Sequence, residues 1–158
     1  MKTLVVVSIF TVLLLGGSMY SPRTAQAQLL APNKSCTTTF FQTTSTSFVP
    51  LPEFVTIDNG ASTQDVVIWF SSTTTGPMTG PNNPNLIFVD FLIDGIERTD
   101  LDGGTPFFAL TFSRVYRSTG MWIVTLGPGV HTIQPQVASA DGPQITLFSR
   151  CLLASNTD

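Results

Sequence analysis

Few side chains of this chain are able to do chemistry: one histidine, two cysteines and ten carboxylates in 158 residues. A Ser-His-Asp arrangement would have to recruit His131, and no serine sits in a G-x-S-x-G elbow to act as its nucleophile. His131 stands just past Gly127-Pro128-Gly129, where an imidazole is better read as bonded to a backbone carbonyl than as a base. Glu53 and Glu97 have the chemistry of a glycosidase pair, which needs two carboxyl groups about 5–10 Å apart in a cleft. Nothing in their positions along the chain brings them together. Asp94, Glu97, Asp100 and Asp102 fall within nine positions of one Gly-rich loop and make the best case for a metal, calcium, which takes several hard oxygen ligands. The EF-hand series is absent, because Asp100-Leu101-Asp102-Gly103 lacks the third ligand spacing and a terminal Glu. A solvated acidic loop is the simpler alternative. Trp69, Tyr116 and Trp122 offer flat faces for a sugar, yet each lies among apolar neighbours that also suit a core. No catalytic residue and no other cofactor are expected, and the chain reads as a non-enzyme.

Cys36 and Cys151 stand near opposite ends of the chain. In an exported protein an even pair reads as a disulfide; two free thiols are the alternative. Closing a loop of that length is worth roughly 4–5 kcal/mol in the chain-entropy account. A bond also demands Cα atoms within about 7 Å, which predicts that the first and last strands are neighbours.

The elements that position these groups are strands. After residue 27 no stretch keeps apolar residues at i, i+3, i+4 and i+7 without a Pro, a Gly or a Thr run intervening. Short β-branched and aromatic runs recur instead, at about Cys36–Thr43, Ser47–Val49, Phe54–Ile57, Val66–Ser72, Leu86–Ile93, Phe107–Tyr116, Met121–Leu126, His131–Val137 and Ile145–Leu153. Turn residues separate them, and Ile93-Asp94-Gly95-Ile96 is the sharpest, a two-residue type I′ hairpin candidate. Strict alternation places Ile87, Val89, Phe91 and Ile93 on one face, opposite Leu86, Phe88, Asp90 and Leu92. In the last run it sets Ile145, Leu147, Cys151 and Leu153 against Thr146, Phe148, Arg150 and Leu152. Both faces are apolar, so either these strands are covered twice or their outer face meets another copy of the chain. The Thr/Ser-rich segments at 37–47 and 71–75 keep no fixed spacing. They read as β-formers on a weakly charged surface rather than as a hydroxyl array for ice or glycan.

Charged residues are only 11% of the chain, with a net charge of −3, against about a quarter in ordinary soluble domains. Nucleic acid is excluded as a partner, because it demands clustered Lys and Arg. Met1-Lys2, the apolar run Leu4 to Leu15 and Ala25-Gln26-Ala27 form the pattern of a cleaved signal peptide, residues 1–27. The run is shorter than the roughly 20 residues that span a bilayer, which disfavours a retained anchor. The expectation is a secreted, extracellular protein with one β-sandwich domain over residues 28–158 and no membrane span after cleavage. Asn33-Lys34-Ser35 would be a glycan acceptor only in a eukaryotic secretory route.

Ile93-Asp94-Gly95, then Leu126-Gly127-Pro128-Gly129-Val130-His131-Thr132-Ile133, then a closing strand after Asp141-Gly142-Pro143, follow one another in a familiar order. They resemble a group of bacterial and phage jelly-roll domains with a strand–Asp-Gly hairpin and an L-x-P-G-x-H-T-[IV] corner, similar in architecture to TNF/C1q-like sandwiches. Pro135 and the cysteine pair depart from that pattern. The resemblance implies an all-β, antiparallel two-sheet jelly roll of about eight or nine strands, a trimer, and no catalytic residues. The expected function is a structural or adhesive module that self-associates as a homo-oligomer, a trimer or a filament. A carbohydrate-binding lectin, with or without calcium, is the alternative, and a small hydrolase comes third.

Overall fold

The computed structural model describes residues 33–76, 85–98, 107–111 and 115–157, with backbone alone for 107–111. The signal segment, Asp100, Asp102 and residues 77–84 lie outside the described residues. The described residues contain strands and no helix. No helix among them is long and apolar enough to cross a membrane.

Two antiparallel sheets face one another. The first runs β1 (Asn33–Thr37), β11 (Ile145–Thr157), β5 (Gln64–Thr75), β9 (Tyr116–Leu126), with β2 (Phe41–Thr43) also on β11. The second runs β3 (Val49–Pro50), β10 (Val130–Ser139), β6 (Asn85–Ile93), β7 (Ile96–Glu97), with β4 (Val55–Asp58) on β10 and β8 (Phe107–Thr111) on β6. Treating β1/β2, β3/β4 and β7/β8 as divided strands, the sheet orders are 1-8-3-6 and 2-7-4-5, the double Greek key of a jelly roll. The alternation expected of β6 is observed: Ile87, Val89, Phe91 and Ile93 are buried against Ile68, Phe70, Leu147 and Leu152 of the facing sheet.

Local chemistry explains the joints. Asp94 and Gly95 both have positive φ, 55° and 77°, with Ile93 opposite Ile96, as a type I′ turn requires. The Gly127–Gly129 corner carries the chain from β9 to β10, between sheets, and Leu126 and Ile133 are buried on either side of it. Asn59 clamps it, donating from Nδ2 to the carbonyls of Leu126 (3.1 Å) and Gly127 (2.9 Å).

Pro135 does not interrupt β10. Its carbonyl accepts from Leu51 N–H at 2.8 Å, so the missing N–H points to that same side, away from β6. There the neighbour changes from β4, which ends its pairing at Ile133, to β3, which begins at Gln136. A proline is tolerated where no ladder donor is needed.

Three sequence expectations fail. Tyr116 opens β9 rather than closing the preceding run, and β9 continues through Gly120. The glycine fits inside a strand because the Trp122 ring lies over it; a Cβ there would sit 2.2 Å from Cη2 of that ring. The strand expected at 36–43 is split into β1 and β2. Most consequentially, β11 does not alternate strictly. Phe148 opposes Thr73 and Cys151 opposes Ser71, so two residues, Ser149 and Arg150, stand against Ser72 alone. This β-bulge, with Ser149 at φ 52°, reverses the faces beyond it. Arg150 and Leu152 turn into the core, while Cys151 and Leu153 turn outward.

Candidate functional site

The bulge organises the neighbourhood of the disulfide. Cys36 and Cys151 are bonded and lie opposite one another in the β1–β11 ladder, with Cα atoms 4.1 Å apart, so the first and last strands are neighbours. The next residue, Arg150, is fully buried. Its Nε and Nη2 donate to the two carboxylate oxygens of Glu53. Its Nη1 donates to the carbonyls of Thr39 (2.9 Å) and Leu147 (2.8 Å). The Phe41 ring stands 5.8 Å from the guanidinium carbon. One side chain thereby ties the bulged strand, the β1–β2 connection and the segment before β4 together.

On the other side of the same sheet, partners in register stand side by side across β9, β5, β11 and β1. One row reads Met121, Trp69, Leu153, Lys34, and its neighbour Ile123, Val67, Ser155. In the opposite direction come Thr119, Ser71, Cys151, Cys36, then Arg117, Thr73, Phe148. The middle of this outer face is thus an indole with aliphatic flanks, bordered on the disulfide side by the hydroxyls of Thr119 and Ser71. Met121 and Ile123 are 58% and 51% exposed, whereas Trp69 is half-buried between its neighbours. Ser72 and Thr74 of the same hydroxyl-rich run are buried on the inner face, so only alternate residues of it reach the surface. The outer face of β6 differs: Asp90 is buried, and Leu86, Phe88 and Leu92 are half-buried within a single chain.

A groove of about 480 Å³ lies at the disulfide end of this face, lined by Arg117, Ser149, Thr37, Thr38 and the two cysteines. Arg150 also borders it, with its side chain turned inward to Glu53. None of these residues was singled out as a ligand contact by sequence pattern. The available signal was an arginine set among apolar residues of the last strand, Arg150-Cys151-Leu152-Leu153.

The other sequence candidates are placed as follows. Trp122 is core, edge-on to Phe91 with ring centroids 4.9 Å apart. Tyr116 is 36% exposed at the start of β9. Glu53 is held by Arg150, while Glu97 is exposed on β7 at the opposite edge of the second sheet, so the two do not form a carboxylate pair. Asn33 is exposed at the start of β1. His131 bonds a backbone carbonyl as expected, that of Gly127 at 2.9 Å through Nε2. Unexpectedly, its Nδ1 also meets Asp94 Oδ2 at 2.8 Å. Both partners are acceptors, so only the imidazolium, with two N–H groups, bonds both. The hydrogen bond to Asp94, then that to Gly127, raises the His131 pKa above its ordinary 6.5 against the opposing effect of burial. Burial alone would raise the Asp94 pKa, but the bonds from His131 and from Thr132 N–H outweigh it and hold that carboxyl below its ordinary 3.8. Of the acidic loop, Asp94 has both oxygens engaged in this way, Glu97 is exposed, and Asp100 and Asp102 lie outside the described residues. Among the described residues no three His, Cys, Asp or Glu side chains cluster to hold a metal ion.

No protein-family model matches the chain, and no curated protein matches it in sequence. Among solved structures it is similar to dimeric latent PorU from Porphyromonas gingivalis, at 11% identity and TM-score 0.40, over 82% of this chain and 13% of that one. It is also similar to the CBM36-1 domain of a multidomain xylanase from the hindgut metagenome of Trinervitermes trinervoides. There the identity is 15% and the TM-score 0.36, over 77% of this chain and 96% of that one. Both likenesses are too distant to bear on function. The chain is an all-β, disulfide-closed jelly-roll sandwich, and neither likeness supports the narrower resemblance to TNF/C1q-like domains.

Proposed function

We propose that this protein is a non-catalytic, extracellular binding module that takes a carbohydrate on the outer face of its disulfide-bearing sheet. The observation that carries this reading is Trp69, placed at mid-sheet with its row partners Met121 and Leu153 and bordered on one side by Ser71, Thr73 and Thr119. A sugar has an apolar C–H face that stacks on an indole and a rim of hydroxyls that exchange hydrogen bonds with Ser and Thr. A sheet face with few charges suits an extended polysaccharide. The disulfide, and the lack of a long apolar helix among the described residues, are compatible with the cell exterior.

Self-association over the same face is the second reading, and the exposure of Met121 and Ile123 favours it. A glycan array combined with light scattering separates the two. Glycan binding by a monomer supports the first. A concentration-dependent oligomer with a blank array, reduced to monomer by Met121→Lys with Ile123→Lys, establishes the second instead. Running the array with and without chelator tests the acidic loop. Sensitivity that vanishes with Asp100→Ala and Asp102→Ala assigns calcium to it.

A further inference from the structure

We infer that the groove beside the disulfide is an anion subsite, which makes an acidic polysaccharide, one bearing uronate carboxylates, the preferred ligand of the face. This rests on the carbohydrate reading and names its substrate class.

Arg117 is exposed on β9 opposite Thr73 of β5 and borders the same groove as Ser149 of the β11 bulge, two strands away. No carboxylate lines that groove. Glu53, the partner of the bordering Arg150, has both oxygens bound to that buried guanidinium. The sequence therefore sets a guanidinium with no ion-pair partner among the described residues on the surface of a chain whose net charge is −3. Lys34 lies on the same outer face, two residues before Cys36, and adds a second cation beyond the groove. Thr37, Thr38 and Ser149 supply hydroxyls around the arginine. A guanidinium with nearby hydroxyls fits a carboxylate, which accepts two parallel N–H bonds and further donors. The Trp69 row lies on the adjoining part of the face, so one extended chain can stack on the indole and set an acidic residue in the groove.

The test uses the whole folded protein with oligogalacturonate and oligoalginate, each as the free acid and as its neutral methyl ester. At low salt the acids should bind about tenfold more tightly than the esters, and added salt should shrink that ratio. Arg117→Gln should bring acid and ester to equal affinity, whereas Lys34→Gln should leave most of the preference. Trp69→Ala should weaken acid and ester alike. Equal binding of acid and ester by the wild type overturns the anion subsite and leaves the carbohydrate reading standing, as does a preference that survives Arg117→Gln. Acid binding that needs Arg117 but is untouched by Trp69→Ala keeps the subsite and removes the stacking platform. Binding of none of the four probes overturns the inference, and neutral polysaccharides such as xylan, mannan and starch then decide the broader reading.

Discussion

Arg150 and Glu53 carry opposite charges into the sandwich, where neither would be tolerated alone. Their mutual bonds and the carbonyls of Thr39 and Leu147 use most of the guanidinium's donors, which offsets the cost of drying both ions. Removing one partner strands the other, so Arg150→Ala or Glu53→Ala should each lower unfolding stability by about 3–5 kcal/mol in urea titration. Arg150→Met combined with Glu53→Met should lose less than either single change, because it removes both charges and keeps the volume. His131 makes a second residue-scale prediction. Its folded pKa is raised, so its contribution is complete below pH 6.5 and is lost as pH rises through the folded value. Asp94, whose pKa is lowered, contributes above pH 3.8 and loses that contribution as pH falls through its folded value. The His131–Asp94 pair is therefore fully formed between those limits. An NMR titration of the single histidine should show its pKa fall toward the ordinary value in Asp94→Asn; an unchanged midpoint would refute the pairing.

At the scale of elements, strand β9 depends on a glycine that looks like a turn. Gly120→Ala should push the Trp122 ring off its seat against Phe91 and cost about 1–3 kcal/mol, the usual range for overpacking. Thermal melting with near-ultraviolet dichroism checks this, since the Trp122 signal should change as well. The same glycine marks where sequence reading stopped short. The β6 alternation, the Asp94-Gly95 hairpin and the Gly127–Gly129 corner were legible because period-two patterning and φ > 0 residues announce them. The bulge was not legible: Ser149 takes φ 52° without being Gly, Asn or Asp, so nothing local marked the change of phase. That shift decided which of Arg150, Cys151, Leu152 and Leu153 face inward, and it hid the groove with it. The partner of Arg150 was out of reach for another reason, since Glu53 lies 97 residues away on a segment with no pattern of its own.

For the molecule as a whole, low charge and one long-range crosslink set the character. The disulfide ties the edge strand β1 to β11 over a separation of 115 residues. Cys36→Ala with Cys151→Ala should lower stability by about 2–5 kcal/mol, and a thiol assay on the unfolded, unreduced wild type should read zero. With 11% charged residues, the surface is largely hydroxyl, amide and apolar groups, which suits contact with a polysaccharide or with a second copy. Met121 and Ile123 place exposed apolar surface on the outer face of the five-stranded sheet, with Trp69 beside Met121, whereas Phe54, Ile96 and Val130 are exposed singly elsewhere. Affinity electrophoresis through gels containing pectate, alginate, cellulose derivatives, xylan, mannan or starch tests the use of that face most directly. Wild type should be retarded by at least one of these polymers, and Trp69→Ala should migrate as in a blank gel. Unretarded wild type in every gel, or a Trp69→Ala variant retarded as strongly as wild type, would contradict the carbohydrate-binding face.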